Sequence, residues 1–167
     1  MRANVLTDWE HLEYKDVPKP VPAKGRVLIR VLYGGVCGSD ITVYHHRHLT
    51  ATVPRIMCHE VLGIVEEINT DEPVCYEVGD RVVVHPLESC GVCRACLDGD
   101  FHVCKDLKIM GLHIDGAFAE YVCIPARNVV LIDPALDEDV VAMFDAVGNA
   151  THTALMFNLV GEDVLIT

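Results

Sequence analysis

The sequence has no long apolar run and few positive charges, and each shortage excludes a class of protein. No uncharged apolar stretch reaches the roughly 20 residues that a membrane-spanning helix requires. Lysine and arginine total 13 against 25 acidic residues, which gives a formal charge of −12. That balance argues against nucleic acid as a partner, because phosphate binding needs clustered cations. The first residues also lack a signal-peptide pattern, so we expect a cytoplasmic protein without a membrane partner.

The chain is long enough for one sizeable core, since it has 167 residues and 51% of them are hydrophobic. It contains eight cysteines. Without a secretory signal, that number indicates reduced thiols and metal ligands rather than a disulfide framework.

Apolar periodicity predicts a mainly β chain that turns helical near its end. Val27, Ile29 and Val31 alternate with their neighbours and predict a strand over 25–36. Further strands are predicted over 57–68, 80–84, 116–126 and 129–131. Asp137 is typical of a helix N-cap, and the spacing after it predicts two helices that meet near residues 145–149. A last strand is predicted to begin at 163–167.

Four cysteines with short spacing form the sharpest metal signal in the sequence. They follow the pattern C-x2-C-x2-C-x7-C at Cys90, Cys93, Cys96 and Cys104. Zn²⁺ favours four soft ligands in a tetrahedron, and short spacings allow one loop to surround the ion. The alternative is two disulfides or loose thiols, which a reducing compartment disfavours. Because four thiolates leave no open position, such a zinc would be structural and not catalytic.

A second signal is the pair His59-Glu60, which lies within the apolar run 57–65. Neighbouring residues of a strand point to opposite faces, so these two side chains are not expected to share one face. The pair alone is compatible with a metal site or with a core histidine beside a surface glutamate.

The segment Cys37-Gly38-Ser39-Asp40 is predicted to open a short helix, with Ser39 or Asp40 as N-cap. A helix N-terminus stabilises a thiolate, although Cys37 taken alone is better explained as a small buried thiol. The histidines that follow, at positions 45, 46 and 48, are predicted to lie in a solvated loop.

Together with the four-cysteine segment, further motifs occur in the order found in the zinc-dependent medium-chain dehydrogenases. They are Cys37-Gly38-Ser39-Asp40, His59-Glu60-x-x-Gly63, Gly79-Asp80-Arg81-Val82 and Phe118-Ala119-Glu120-Tyr121. The chain resembles that family over its whole length. Residues 144–155 and 159–165 are most similar to its L-threonine 3-dehydrogenase branch.

The resemblance implies a fold and a division into domains. Residues 1–150 would form a GroES-like partial β-barrel that binds zinc and carries out catalysis, with a structural zinc lobe at 88–106. Residues 151–167 would be the start of a truncated dinucleotide-binding Rossmann domain. The barrel would thus be followed by helices and then by the first strand of that domain.

The resemblance also implies a catalytic zinc held by Cys37, His59 and an acid at Asp145. Glu60 would be a close or exchanging ligand that replaces Asp145 or a bound water. Such a site keeps one position open, as chemistry at zinc requires. Asp40 would orient the His59 ring through its second nitrogen.

The implied chemistry is oxidation of a secondary alcohol, L-threonine or a polyol, by hydride transfer to NAD or NADP. Ser39 would accept the proton of the substrate hydroxyl. The cofactors would be two Zn²⁺, one catalytic and one structural, and a nicotinamide nucleotide bound mainly by a domain outside this chain. The full-length protein would be a homo-oligomer, either a dimer or a tetramer.

Three departures from the family pattern lie near the implied site. Thr42 stands where a relay histidine is common, so His45 or His46 substitutes or the relay ends in water. Cys58 stands where a glycine usually precedes the His-Glu pair, and we expect it to be a packed thiol. The threonine enzymes carry a histidine shortly before the first lobe cysteine, whereas this chain has Leu87-Glu88-Ser89 and an earlier His85.

The sequence contains no G-x-G-x-x-G turn, the motif with which a nucleotide-binding domain begins. We therefore expect the catalytic half of a longer dehydrogenase, which alone binds zinc but scarcely oxidises alcohols. One alternative is a stand-alone zinc-binding β-domain with a structural or assembly role. Another is a zinc-free reductase, which the four-cysteine segment and Cys37 disfavour.

Overall fold

The structure, a computed structural model, describes residues 1–165 and consists mainly of strands. The strands are β1 (Arg2–Asp8), β2 (His11–Asp16), β3 (Arg26–Gly35), β4 (Arg55–Ile56), β5 (Glu60–Asn69), β6 (Arg81–Val84), β7 (Leu87–Glu88), β8 (Lys108–Ile109), β9 (Tyr121–Pro125) and β10 (Val129–Leu131). The helices are α1 (Gly38–Tyr44), α2 (Arg94–Leu97), α3 (Glu138–Val141) and α4 (Phe144–Leu155). The predicted fold class, mainly β with helices near the end, is confirmed.

An antiparallel sheet in the order β10-β6-β5-β3-β9 forms the centre of the fold. A second sheet, β2-β1-β4, and a two-stranded ribbon, β7-β8, accompany it. Val27 and Ile29 of β3 are buried against Val65 of β5 and Val122 of β9 in the main core. Burying each such side chain contributes about 1.5–3 kcal/mol, so the apolar patterning of these segments determines the sheet.

The pairing of β3 with β5 determines where the candidate site lies. Its register runs from Arg26 opposite Asn69 to Gly35 opposite Glu60. The end of β3 therefore lies beside the start of β5. Cys37 follows β3 by two residues and His59 immediately precedes β5, so the sheet brings two distant parts of the sequence together.

The segment before His59 is held by the chain around residue 117. Gly116 N donates to Ile56 O, Ala117 N to Cys58 O and Phe118 N to Met57 O, at 2.7–3.1 Å. The strand predicted over 116–126 consequently begins only at Tyr121. Its first residues pair with residues 56–58 instead of with β3.

The helices near the end differ from the prediction in one respect. Asp137 caps α3 as predicted, since its side chain accepts from Asp139 N at 2.9 Å. The two helices meet at residues 142–143 and not at 145–149, where a break at Gly148 was expected. A glycine inside a helix costs only about 1 kcal/mol. Packing of Val141 and Phe144 onto β5 and β6 determines the break instead.

Residues 163–165 form no strand, and the remainder of the strand predicted there lies outside the described residues. Among residues 1–165, none of the helices has the length and apolar character needed to cross a membrane.

Candidate metal centres

The four cysteines of the predicted lobe converge as their spacing indicated. The sulfur atoms of Cys90, Cys93, Cys96 and Cys104 all lie within 4.8 Å of one another. The Cys93–Cys96 and Cys93–Cys104 sulfur distances are 3.5 and 3.9 Å, well beyond the roughly 2.05 Å of a disulfide bond. Four sulfurs about 2.3 Å from one ion suit a tetrahedral zinc. The lobe thus has the donor set of a closed structural site.

Backbone amides around the lobe favour the thiolate form that a metal requires. Amide donors at Cys96 and Lys105 lower the pKa of Cys93 to about 6. Similar donors at Val92 and Cys93 lower the pKa of Cys90. Burial acts in the opposite direction and raises the pKa of Cys96 to about 11. A bound cation would offset that effect, since metal binding displaces the thiol proton.

A second cluster forms at the junction of β3, α1 and β5. One ligand atom each from Cys37, His59 and Glu60 lies within 4.8 Å of the other two. Sulfur, imidazole nitrogen and carboxylate oxygen are all ligands that zinc accepts. Three protein ligands leave a fourth position for a small molecule, as in catalytic zinc sites.

The expectation that His59 and Glu60 point to opposite faces is wrong. Strand alternation begins only at Glu60, because β5 starts there and His59 precedes it. Cys58 adopts φ +82°, in the left-handed region, which turns the backbone just before the pair. Both side chains therefore reach the same ion position.

The close approach of Glu60 depends on Gly35, its partner across the β3–β5 ladder. A Cβ atom at position 35 would overlap the Glu60 carboxylate. The glycine thus leaves the space in which this carboxylate folds back toward Cys37 and His59.

Asp145 lies next to the cluster without being one of its three converging residues. Its Oδ2 is 4.0 Å from His59 Nε2, and the two side chains are only 18% and 14% exposed. Asn149, one turn later on α4, donates to the same Oδ2 at 3.2 Å. The resemblance left Glu60 and Asp145 as alternative ligands, and the geometry of this structure favours Glu60.

Asp40 fixes the backbone on both sides of the ligand cluster through two hydrogen bonds. It is 4% exposed, and its two oxygens accept from Cys37 N at 2.9 Å and Cys58 N at 3.1 Å. Cys37 is the N-cap of α1, so the prediction of Ser39 or Asp40 as N-cap is wrong. In residues 1–165 no hydrogen bond joins Asp40 to the His59 ring, because backbone amides occupy the carboxylate.

Cys58 is the packed thiol that the sequence predicts. Its side chain is fully buried, and Sγ donates to Glu60 O at 3.3 Å. Burial, followed by the negative charge of Asp40, raises the pKa of Cys58 to about 12. Its sulfur is directed at the Glu60 carbonyl and is not one of the three converging ligand atoms.

The relay residues suggested by the sequence do not meet at the site. Thr42 Oγ1 donates to Gly38 O inside α1 at 3.0 Å. His45 Nδ1 lies 2.6 Å from Glu10, and the His46 ring stacks on Trp9 at 4.0 Å. Ser39, by contrast, is exposed and lines a pocket of about 250 Å³ together with His59 and Asp145.

The same pocket has a wall residue that the sequence reasoning missed, namely His48. It was assigned with its neighbours to a solvated loop. The chain must return from the end of α1 at Tyr44 to His59 in fifteen residues, which obliges this loop to pass over the site. The shortness of this connection was the sequence feature that could have placed His48 at the site.

Comparison with known proteins was consistent with these features. The profile of the family described as alcohol dehydrogenase GroES-like domain matches residues 23–134. An L-threonine 3-dehydrogenase of Anaeromyxobacter dehalogenans is 43% identical over 155 residues, which are 91% of this chain and 45% of that protein. One from Paraburkholderia phytofirmans is 43% identical and is covered to 46%.

Solved structures show the same fold. A zinc-binding dehydrogenase of Sinorhizobium meliloti bound to NADP is 32% identical, with a TM-score of 0.77, over 85% of this chain and 41% of that one. A short chain alcohol dehydrogenase of E. coli CFT073 complexed with NADH is 31% identical, with a TM-score of 0.83, over 91% and 44%. The chain spans about half the length of the relatives it matches.

Proposed function

This chain belongs to the alcohol dehydrogenase family with a GroES-like domain, and on that premise we propose a specific role for it. It is the catalytic half of a zinc-dependent oxidoreductase that oxidises a secondary alcohol by hydride transfer to NAD or NADP. The observation that carries this proposal is the convergence of Cys37, His59 and Glu60, which leaves one ligand position for a substrate oxygen.

The residues of the cluster have separable roles in this proposal. Cys37, His59 and Glu60 would hold the ion, with Asp145 close enough to exchange with Glu60. Bound zinc supplies the positive charge that lowers the pKa of an adjacent hydroxyl. Ser39, on the pocket wall and open to solvent, accepts the hydroxyl proton and passes it to water.

L-Threonine is the leading substrate and a polyol is the next candidate. The support is the similarity to proteins named L-threonine 3-dehydrogenase at 43% identity. Relatives of known structure are described with NADP in one case and NADH in another, so both cofactors remain in the proposal.

The domain division, assembly and location are parts of the same proposal. Residues 1–150 form the catalytic domain and residues 151–167 begin the nucleotide-binding domain. Apolar side chains of α4 and the segment after it, such as Val147, Leu155 and Phe157, are exposed where that domain would pack. The full-length protein is a cytoplasmic homo-oligomer, and this chain alone is inactive.

A hybrid enzyme tests the proposal. The 167-residue chain is joined to the remaining C-terminal half of the Anaeromyxobacter relative and assayed with L-threonine, sorbitol and either cofactor. We expect oxidation by the hybrid, none by the chain alone, and none by a hybrid carrying His59→Ala. A folded hybrid that binds cofactor and both zinc ions but oxidises no alcohol would contradict the proposal. That outcome would favour the alternative of a zinc-binding β-domain with a structural role.

A further inference from the structure

Backbone hydrogen bonds determine which ring nitrogen carries the proton in two histidines near the pocket. Thr50 N donates to His48 Nδ1 at 3.4 Å, and Ile109 N donates to His113 Nδ1 at 3.0 Å. A backbone N–H can only donate, so Nδ1 is the acceptor in both rings. Each neutral imidazole therefore carries its proton on Nε2.

The hydroxyl of Thr50 links the two rings by hydrogen bonds that are all donated in the direction from His113 to His48. His113 Nε2 lies 3.0 Å from Thr50 Oγ1 and donates to it. The Thr50 hydroxyl is then free to donate to His48 Nδ1 at 3.3 Å. Desolvation, with His48 as the next cause, lowers the pKa of His113, which keeps that ring neutral. The chain of donors ends at the Nε2–H of His48.

His48 lines a pocket whose polar side chains among the described residues are hydroxyl, imidazole, amide and carboxylate groups. The pocket of about 250 Å³ is lined by His48, Ser39, His59 and Asp145, and its wall among the described residues includes no lysine or arginine. Asp145 already accepts from Asn149. An acceptor oxygen on a bound molecule is thus the natural partner of His48.

We propose that His48 is a specificity-determining residue whose Nε2–H, held by Thr50 and His113, binds a second oxygen of the substrate. This inference rests on the proposed function and deepens it. The substrate class is a secondary alcohol that carries another acceptor oxygen, either a carboxylate or a hydroxyl. Because Nε2 already bears a proton, His48 is a donor and does not replace the missing relay base at position 42.

The first test concerns the chain itself and needs no activity. Ring ¹⁵N shifts of the zinc-loaded chain, labelled at histidine, report which nitrogen is protonated. We expect Nε2–H forms for His48 and His113. Thr50→Val keeps the backbone donor and loses the hydroxyl, so it should retain the His48 tautomer but shift the ring signals of both histidines. Thr70→Val, at a half-buried threonine whose Oγ1 accepts from Glu72 N, is the control and should change neither ring. An Nδ1–H form of His48 in the unmodified chain would overturn the inference.

The second test uses three small alcohols as probes: L-threonine, butane-2,3-diol and butan-2-ol. We expect the first two to shift the His48 Nε2 signal, whereas butan-2-ol, which has no second oxygen, leaves it in place. A response to L-threonine alone identifies the oxygen as a carboxylate, and a response to both includes a hydroxyl. His48→Gln should retain binding, since its amide replaces the donor, and His48→Phe should weaken it about 2- to 10-fold, the loss of one hydrogen bond.

Equal responses to all three alcohols, or none, would overturn the inference. This failure is distinguishable from failure of the proposed function. An inactive hybrid whose isolated catalytic half still shows the His48 response contradicts the dehydrogenase assignment alone. An active hybrid with unchanged KM in His48→Phe contradicts the donor role alone.

Discussion

At the scale of single residues, Cys58 shows how the site uses an unfavourable backbone conformation. Its φ of +82° lies in a region that costs a side-chain-bearing residue roughly 1–2 kcal/mol. Asp40 and Ala117 hold that conformation through the Cys58 N–H and C=O. The family's glycine at this position suits the same geometry, because glycine reaches positive φ without steric cost.

Two substitutions separate the backbone effect from the loss of the thiol. Cys58→Ala removes the sulfur and keeps a Cβ, whereas Cys58→Gly removes both and relieves the left-handed strain. We expect the glycine variant to be about 1 kcal/mol more stable than the alanine variant. Urea unfolding measures the difference. An alanine variant of equal or greater stability would show that the backbone at position 58 is not strained.

Gly35 provides a prediction about the ligand Glu60. In Gly35→Ala the new Cβ displaces the carboxylate, so zinc at the open site should bind about 10- to 100-fold more weakly, as when the support of a ligand is lost. Gly38→Ala is the matched control, since its Cβ meets no atom within 4 Å. Zinc titration against a competing chelator measures both. Equal affinities would indicate that Asp145, and not Glu60, is the ligand.

Tyr76 makes stability depend on alkaline pH. Its hydroxyl donates to Ala126 O at 2.8 Å, and burial raises its pKa from 10.0. The folded state therefore prefers the neutral phenol, and this stabilisation is complete below pH 10 and is lost as the pH rises above it. We expect the unfolding free energy of the parent chain to fall more steeply above pH 10 than that of Tyr76→Phe. Tyr14→Phe, at an exposed tyrosine, should keep the parent slope.

At the scale of elements, the four-cysteine lobe should behave as a unit that depends on its metal. Its helices are the single turn α2 and a 3-10 turn at Phe101–Val103, and Val92, Leu97 and Phe101 are exposed, so little apolar burial stabilises it. In Cys96→Ser we expect loss of one zinc per chain and proteolytic cleavage within residues 88–106. Cys75→Ser, at an exposed thiol outside the lobe, is the control. A lobe that resists proteolysis without its zinc would contradict the structural role.

Spacing along the sequence was sufficient to predict the strands and the lobe, but not the open site. Alternating apolar residues identify β3 because burial repeats every second residue. The four lobe cysteines are local, so their convergence follows from short spacing. Cys37 and His59 are separated by α1, a loop and β4, and only the Gly35–Glu60 register places them together.

The orientation of side chains was predicted less well than the position of elements. His59 and Glu60 share a face because the strand begins at Glu60, three residues later than expected, and Cys58 bends the backbone. The tautomer of His48 depends on a hydrogen bond from the Thr50 backbone N–H, and the Thr50 hydroxyl connects that ring to His113, 63 positions from Thr50. Such tertiary hydrogen bonds leave no periodic signal in the sequence.

At the scale of the whole molecule, the described fold separates two tasks. The four-sulfur cluster would be closed around its metal and stabilise a lobe, whereas the cluster at the junction of β3, α1 and β5 lies beside a pocket. The formal charge of −12 disfavours a polyanionic partner such as nucleic acid.

The central claim is that this chain holds a second, open metal centre at Cys37, His59 and Glu60. Cadmium-113 NMR of the chain after replacement of zinc tests it most directly, because the shift reports the number of sulfur ligands. We expect two signals of equal intensity, one from four thiolates and one from a single thiolate with nitrogen and oxygen, and loss of only the second in Cys37→Ser. One signal alone, or a second signal that Cys37→Ser leaves unchanged, would contradict the claim.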